Sequence, residues 1–248
     1  MKVVCIGRMF LNLIKHSFSE TSMDWISNMQ LWSAAGLAQL VKWITPFGWV
    51  FDPIIPDLIN IVSKITTRSI NEVSYYKTTT RFVNDVMNGY GEDSGKDFSD
   101  MHITGASLGG GLAIITAGQT NAYAVAISGL GATLSRLSYD PPIKKDKLDA
   151  QTFNFIPERD YIARIGGRAQ QFQNGNCIAP VNDLFGCHSM WRSVCEINYR
   201  CGSGNRPVAC RCVQQFGYPE PLQNGTRTFA EACQEANQTW YELFPPTF

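Results

Sequence analysis

The pattern of hydrophobic and polar positions divides the chain into alternating helical and extended segments. Apolar residues spaced by three and four predict helices, and short apolar runs bounded by polar turns predict strands. In chain order the pattern predicts one or two helices over 24–40, a helix over 59–87, a loop over 89–97, a strand at 102–104, a helix over 108–117, a strand over 122–127, a charged surface loop over 140–147 and a strand over 152–156. This alternation predicts an α/β fold with a mostly parallel sheet and helices on both faces.

One apolar segment does not follow either periodicity. Residues 43–58 are rich in tryptophan, phenylalanine and isoleucine but contain Pro46, Pro53 and Pro56, so they cannot form one continuous helix. One interpretation makes the wider segment 31–66 a lid or interfacial segment that exposes apolar surface when it opens onto lipid. An ordinary buried insertion explains the same composition, and both interpretations remain open.

A long stretch of the chain carries no charge. Residues 101–135 contain no Asp, Glu, Lys or Arg, which is a pattern also found in membrane-spanning helices. The polar residues 119–121 interrupt the stretch at its middle. We therefore expect a buried helix, a turn and a buried strand, and no transmembrane span in this chain.

The most informative motif lies inside this uncharged stretch. Residues 105–109 match G-x-S-x-G, with a short apolar run before them and a helical pattern after them. In this context the motif places a serine, Ser107, on a sharp strand-to-helix turn with its hydroxyl exposed, and the glycines let strand and helix approach closely. The N–H of Leu108 then lies at a helix N-terminus, where it can stabilise an oxyanion. The alternative is a glycine-rich helix entry that only packs against a sheet.

Three segments together resemble one family. ITGASLGGGLA at 103–113, FNFIPERD at 153–160 and the pair Cys187-His188 resemble the class 3 lipases, the fungal-type triacylglycerol lipase branch of the α/β-hydrolases. The resemblance spans roughly residues 19–188, and the cysteine-rich tail resembles that of protist lipase-like proteins.

The resemblance implies a domain organisation and an activity. It implies an α/β-hydrolase core over 1–190 and a disulfide-rich C-terminal extension over 191–248 packed on that core. The implied activity is that of a serine carboxylic ester hydrolase, a triacylglycerol lipase-like enzyme that cleaves lipid acyl esters at a lipid–water interface. It needs no cofactor and no metal.

A serine nucleophile requires a general base, and the sequence offers few candidates. The base must take the hydroxyl proton, and in α/β-hydrolases the chain order is serine, acid, histidine. The chain has three histidines, of which His16 and His102 precede Ser107. His188 is therefore the candidate base, in agreement with the Cys-His pattern of the family.

The third member of the triad must be a carboxylate near that histidine. Asp160 follows the predicted strand 152–156, so it belongs at the carboxyl edge of the sheet, and the family places its catalytic aspartate after the same strand. The alternative acids are Glu158, Asp149 and Asp183. A different interpretation pairs Asp160 with Arg159 or Arg164 in a surface ion pair.

The N-terminal part departs from the family pattern. The family has an Arg-Gly-Thr or Arg-Gly-Ser triplet at the strand that supplies the first oxyanion donor, whereas residues 17–25 contain Asp24 and Trp25 of the pattern but no Arg-Gly. Ser19 takes the oxyanion position, with Thr21 as the runner-up. We therefore expect the first strands to be lacking, with the front of the chain missing or altered.

Because the Arg-Gly of the family is absent, two other functions remain possible interpretations of the sequence. One is a catalytically impaired or truncated lipase-like pseudoenzyme or binding protein. Another is a secreted cysteine-rich binding domain in which residues before Cys177 are only a scaffold.

The balance of acidic and basic residues bears on which partners the protein binds. Acidic and basic residues are equal at 21 each, so no overall field favours nucleic acid or an anionic membrane. A lipid contact must then be hydrophobic. The expected partner is a lipid or another acyl ester, with no nucleic acid, and the oligomeric state is open.

The cysteines indicate an oxidising compartment. Seven of the eight lie between Cys177 and Cys233, and the sequons at Asn224 and Asn237 lie in the same tail. Secretion follows, although residues 3–7 are too short an apolar run for a good signal peptide. A zinc site is the alternative use of the residues Cys187, His188, Cys195, Cys201, Cys210 and Cys212. Because no repeated C-x-x-C occurs, disulfides are the preferred prediction.

Overall fold

A four-stranded parallel sheet organises the part of the chain that this computed structural model describes. That part comprises residues 57, 61, 75–89, 101–180, 182–183, 185–201, 209–221, 225 and 228–235. The strands are β1 (His102–Ala106), β2 (Tyr123–Ile127), β3 (Thr152–Pro157) and β4 (Phe172–Gly175). The helices are α1 (Tyr75–Met87), α2 (Leu108–Gln119), α3 (Lys145–Gln151), α4 (Met190–Cys201) and α5 (Cys210–Phe216), with a further helical stretch at 229–235.

The strands lie in the order β1-β2-β3-β4, and each pair is parallel. Ala106 pairs with Ile127, and Ile127 in turn pairs with Phe155. The carboxyl ends of β1, β2 and β3 therefore meet at one edge of the sheet. In open α/β sheets this is the edge at which functional residues gather.

Helix α2 is the most deeply buried helix among the described residues. Every residue from Gly109 to Gly118 is buried, which explains why this part of the sequence carries no charge. Its apolar residues pack against the small side chains Ala124 and Ala126 on one face of β2. The prediction of a buried helix is confirmed, whereas the predicted buried strand is only half buried, because Tyr123 and Val125 of β2 are each 41% exposed.

Helices α1 and α3 flank α2. The hydroxyl groups of Thr79 on α1 and Thr116 on α2 lie 3.0 Å apart, and Thr80 donates to the side-chain oxygen of Gln119 at 3.0 Å. On the other side, Leu148 of α3 packs in the same hydrophobic cluster as Ile115 of α2. These contacts fix α2, and with it the turn that precedes it.

The opposite face of the sheet is less completely covered. Successive residues of a strand point to opposite faces, so Val125 and its neighbour Phe153 point away from α2. Ile197 and Arg200 of α4 face them across a cleft of about 500 Å³. Helices thus lie on both faces, as predicted, although Val125 remains 41% exposed.

Several element boundaries differ from the sequence prediction. Helix α2 extends to Gln119 rather than residue 117, and β3 extends to Pro157 rather than residue 156. The predicted surface loop 140–147 is wrong at its end, because α3 begins at Lys145. The pattern did not predict strand β4, helix α4 or helix α5.

Other predictions fall on residues without a described structure. The helices over 24–40 and the segment 31–66 lie outside the described residues, apart from Asp57 and Ile61. Within the described ranges, no helix has both the length and the apolar character needed to span a bilayer.

Six tail cysteines form three disulfides, which confirms the disulfide prediction. The pairs are Cys177–Cys187, Cys195–Cys212 and Cys210–Cys233. The second pair joins α4 to α5, and the third joins α5 to the helical stretch at 229–235. The same region contains a buried polar contact, because Glu196 accepts a hydrogen bond from the Tyr218 hydroxyl at 3.0 Å.

Tyr139 makes the folded protein less stable as the pH rises above 10.0. Its hydroxyl lies in the core, 2.7 Å from the Ser135 hydroxyl, and burial raises its pKa above the usual 10.0. The unfolded chain then loses the proton at a lower pH than the folded chain. This contribution to stability is complete below pH 10.0 and is lost as the pH rises further.

We expect Tyr139→Phe to flatten the alkaline decline of the unfolding free energy. In urea titrations above pH 10.0, the unfolding free energy of the wild type should fall with each pH unit by up to about 1.4 kcal/mol more than that of the variant. Equal slopes for the two proteins would contradict the assignment.

Candidate active site

Ser107 is the single residue between β1 and α2. It adopts φ 54° and ψ −124°, a conformation that costs a residue with a side chain of order 1–3 kcal/mol. The surrounding backbone holds it there, because its N–H donates to the Ile127 carbonyl and its own carbonyl accepts from the Gly111 N–H, each at 3.0 Å. The serine is therefore strained, held from both sides and placed at the carboxyl edge of the sheet.

Two glycines make this turn possible by their lack of a side chain. A Cβ atom on Gly105 would lie 2.3 Å from the Gly109 carbonyl oxygen, and one on Gly110 would lie 2.8 Å from the Gly129 Cα. Both neighbours are backbone atoms, which cannot move aside without displacing the strand or the helix.

We expect Gly105→Ala to disrupt the turn. Overpacking against backbone should lower the unfolding free energy by about 3 kcal/mol or more, as measured by urea denaturation. Gly118→Ala is the matched control, because its Cβ would meet the side chains of Ile143 and Leu148, which can adjust. The higher helix propensity of alanine, about 1 kcal/mol, offsets that clash. Equal losses for the two variants would show that the close approach at Gly105 is not needed.

The described fold brings Ser107, His188 and Asp160 into one hydrogen-bonded chain. The Ser107 Oγ lies 2.6 Å from His188 Nε2. On the other side of the ring, His188 Nδ1 lies 3.0 Å from Asp160 Oδ1 and 3.1 Å from Oδ2. Nδ1 therefore carries the proton donated to the carboxylate, and Nε2 can accept the serine proton.

Asp160 is buried at the carboxyl end of β3, with 1% of its surface exposed. Its Oδ1 accepts a second hydrogen bond from the Ala163 N–H at 3.0 Å. This bond belongs to the short 3₁₀ turn Ile162–Arg164 that follows the aspartate. The carboxylate is thus fixed by backbone on one side and by the imidazole on the other.

The alternative acids have other surroundings. Asp149 accepts hydrogen bonds from Lys145 and from the Gln170 N–H, and the Lys145 bond is the main reason that its pKa is lowered. Glu158 and Asp183 are exposed. Of these four carboxylates, Asp160 is the one within hydrogen-bonding distance of His188.

His188 lies on a short loop that a disulfide closes. It ends the 3₁₀ turn Gly186–His188, next to Cys187, which is buried and bonded to Cys177. The imidazole side chain is 16% exposed, so it faces both the buried aspartate and the surface.

Arg159 does not form the ion pair with Asp160 that the sequence left open. Its guanidinium instead donates to the carbonyl oxygens of Cys177 and Ala179, each at 2.8 Å.

One candidate oxyanion donor is described. As the first residue of α2, Leu108 has a backbone N–H without an intrahelical acceptor, at the positive end of the helix dipole. Ser19 and Thr21 lie outside the described residues. Among the side chains that are described, no group of three His, Cys, Asp or Glu residues could hold a metal ion.

Comparison with known proteins gave no match. Protein-family models, curated proteins and solved structures were all compared with the chain.

Exposed apolar side chains border the His188 loop. They are Ile178, Phe185, Met190 and Trp191, with exposed fractions of 49%, 69%, 42% and 39%. They belong to one region, because the Cys177–Cys187 bond joins the two arms of the loop and Arg192 of α4 donates to the Ile178 carbonyl. We call these four residues the apolar rim.

Sequence reasoning missed the apolar rim and the role of Arg159. The rim residues are scattered over fourteen positions without periodicity, and only the disulfide brings the two arms together. The carbonyl partners of Arg159 lie 18 and 20 residues further along the chain. No local pattern signals contacts of this kind, although the Cys-His pair did mark the loop.

Proposed function

We propose that the chain is a serine carboxylic ester hydrolase of the α/β-hydrolase fold that acts on lipid acyl esters. The observation that carries the proposal is the hydrogen-bonded chain from Ser107 through His188 to Asp160, with the serine on a strained strand-to-helix turn. A nucleophile, a base and a group that orients the base are the three parts that acyl transfer by serine requires.

The first half-reaction forms an acyl-enzyme. Ser107 Oγ attacks the carbonyl carbon of the ester, and its proton passes to His188 Nε2, 2.6 Å away. Negative charge develops on the carbonyl oxygen, where the Leu108 N–H and the positive end of α2 stabilise it. The bond to the alcohol oxygen then breaks, and that oxygen takes the proton from Nε2. The alcohol leaves, and the acyl group remains on Ser107.

The second half-reaction repeats these steps with water. His188 Nε2 removes a proton from water as its oxygen attacks the acyl carbon, and the same donors stabilise the second oxyanion. The bond to Ser107 Oγ breaks, the serine regains a proton from Nε2, and a carboxylic acid leaves. Throughout, Asp160 holds the ring through Nδ1 and stabilises the imidazolium by its negative charge.

The apolar rim supports a lipid substrate. Four large apolar side chains exposed beside one catalytic group form the kind of surface that marks binding to a membrane or another apolar partner. Trp191 also stacks with the Arg211 guanidinium, 4.8 Å from the ring centroid, and such amphipathic pairs suit a membrane interface. The resemblance to class 3 lipases, with Ser19 as the second oxyanion donor, agrees with this substrate class.

The location proposed for the protein is outside the cell or in the secretory lumen. Its support is the set of three disulfides, which form and persist in oxidising compartments.

Hydrolysis assays with two acyl chain lengths test the proposal. We expect turnover of a short, water-soluble acyl ester, and turnover of a long acyl ester that rises when the ester is emulsified. Folded protein that cleaves neither ester would contradict hydrolysis. Cleavage of the short ester alone, with no response to emulsion, would contradict the lipid substrate while leaving esterase activity.

A lipase-like pseudoenzyme or binding protein is the second candidate. The absence of Arg-Gly from residues 17–25 favours it, because one oxyanion donor would then be poorly placed. Such a protein should bind emulsified lipid through the apolar rim without releasing fatty acid. Fatty acid release measured alongside lipid binding separates the two candidates.

A further inference from the structure

We propose that Arg159 is a positioning residue for the catalytic base: it locks the His188 loop to the turn that carries Asp160. This inference rests on the proposed function, since it concerns the same triad. Arg159 is adjacent to the acid in sequence but turns its guanidinium away from it, onto backbone carbonyls of the loop that carries the base.

The backbone at Arg159 is unusual for an arginine. Residues 157–160 form a tight turn in which the Asp160 N–H donates to the Pro157 carbonyl at 3.2 Å. The third residue of that turn, Arg159, has φ 61°, whereas the second, Glu158, is not in the left-handed region. This is the pattern of a type II turn, whose third position normally holds glycine or asparagine. Arginine at this place carries a backbone strain that glycine would avoid.

The side chain bridges two segments that are distant in the chain. One terminal nitrogen of the guanidinium donates to the Cys177 and Ala179 carbonyls, each at 2.8 Å. Cys177 is bonded to Cys187, which directly precedes His188. A closed ring of contacts therefore runs from Asp160 through Arg159 and the disulfide to the imidazole, and returns to Asp160 through the 3.0 Å hydrogen bond.

The ring determines the distance between acid and base. His188 comes 28 residues after Asp160, and its short 3₁₀ turn is tied to residue 177 by the Cys177–Cys187 bond. Arg192 holds the Ile178 carbonyl from the α4 side, so Arg159 supplies the link on the acid side. Without it, the loop can move relative to Asp160, and a misplacement of about 1 Å costs about 10²-fold in rate.

Three substitutions at one position separate the guanidinium from the backbone strain. Arg159→Gln removes the charge and shortens the side chain, Arg159→Lys keeps a cation with several donors, and Arg159→Gly relieves the left-handed strain while leaving space for a small cation. Arg200→Gln is the control. This substitution also removes an arginine hydrogen bond of 3.0 Å, to Glu196, but Arg200 lies in the last turn of α4 and does not contact the His188 loop through that bond.

Kinetics on a short soluble ester give the first result. We expect kcat of Arg159→Gln to fall by about 10²-fold with KM unchanged, partial recovery in Arg159→Lys, and recovery of Arg159→Gly by millimolar guanidinium. Arg200→Gln should keep the wild-type kcat. Wild-type kcat in Arg159→Gln overturns the inference. A loss that neither lysine nor guanidinium restores also overturns it, since only folding would then depend on Arg159.

A spectroscopic measurement keeps the inference separate from the proposed function. The proton on His188 Nδ1, held by Asp160, should give a low-field proton resonance in the wild type, and Arg159→Gln should weaken or remove it. This result does not depend on turnover. An inactive wild type with an Arg159-dependent resonance contradicts the hydrolase alone, whereas an unchanged resonance in Arg159→Gln contradicts the positioning role alone.

Discussion

Ser107→Ala should abolish ester hydrolysis. Without the hydroxyl no acyl-enzyme can form, so kcat should fall by about 10⁶-fold, the loss found when a serine nucleophile is removed. A fluorophosphonate probe should label the wild type at Ser107, located by peptide mass spectrometry, and should leave the variant unlabelled.

Ser128→Ala is a matched control for this experiment. Ser128 is also a serine with positive φ, 53°, and it lies directly after β2, next to the strand that ends before Ser107. Its buried hydroxyl has no hydrogen-bond partner among the described residues, so its removal should cost little stability. The control should retain labelling and turnover. Labelling of Ser107→Ala, or loss of activity in both variants, would argue against Ser107 as the nucleophile.

Asp160→Asn should lower kcat by about 10⁴-fold without unfolding the protein. The amide oxygen can still accept the hydrogen bond from Ala163 N–H, which holds that atom in place. The amide nitrogen then takes the Oδ2 position, 3.1 Å from His188 Nδ1, where it donates to an unprotonated Nδ1 and so favours the tautomer that carries its proton on Nε2. A protonated Nε2 cannot accept the proton of Ser107, 2.6 Å away.

The readouts for Asp160→Asn are kcat at neutral pH and the midpoint of thermal unfolding. Asp149→Asn serves as control, because Asp149 is an alternative acid that binds Lys145 and the Gln170 N–H instead of the histidine. Its kcat should match the wild type. A loss in Asp149→Asn equal to that in Asp160→Asn would exclude Asp160 as the orienting carboxylate.

The central part of the fold could be predicted because its signals are local. The uncharged stretch and the glycines around Ser107 predict a buried strand, turn and helix, and α2 is buried over ten consecutive residues. The two additional residues at the end of α2 depend on tertiary contacts: Gln119 bonds to Thr80 on α1 and to the Pro141 carbonyl. Contacts of this kind lie outside any sequence window.

Strand β4 shows the opposite case. Its sequence, Phe-Gln-Asn-Gly, is mostly exposed and has no apolar alternation, and it becomes a strand because the backbone N–H groups of Asn154 and Glu158 donate to the Gln171 and Gly175 carbonyls. The tail helices were missed for a related reason. The bonds that join them could not be named, because cysteine spacing does not determine pairing.

Ser107 could be named from its motif, and His188 from chain order and the scarcity of histidine. Asp160 was one of four candidate acids, preferred for its place after a predicted strand and by the family resemblance. The fold places the three residues within hydrogen-bonding distance of each other. How the histidine is held could not be predicted, since Arg159 and the Cys177–Cys187 bond act across the chain.

The position of the disulfides in the chain means that the Ser107 turn and the His188 loop form at different times during synthesis. All three follow β4 in the chain, so the serine-bearing turn emerges from the ribosome well before the oxidised loop can close. On the proposed function, we expect the nascent hydrolase to reach full activity only after Cys177 and Cys187, which hold the His188 loop, are oxidised.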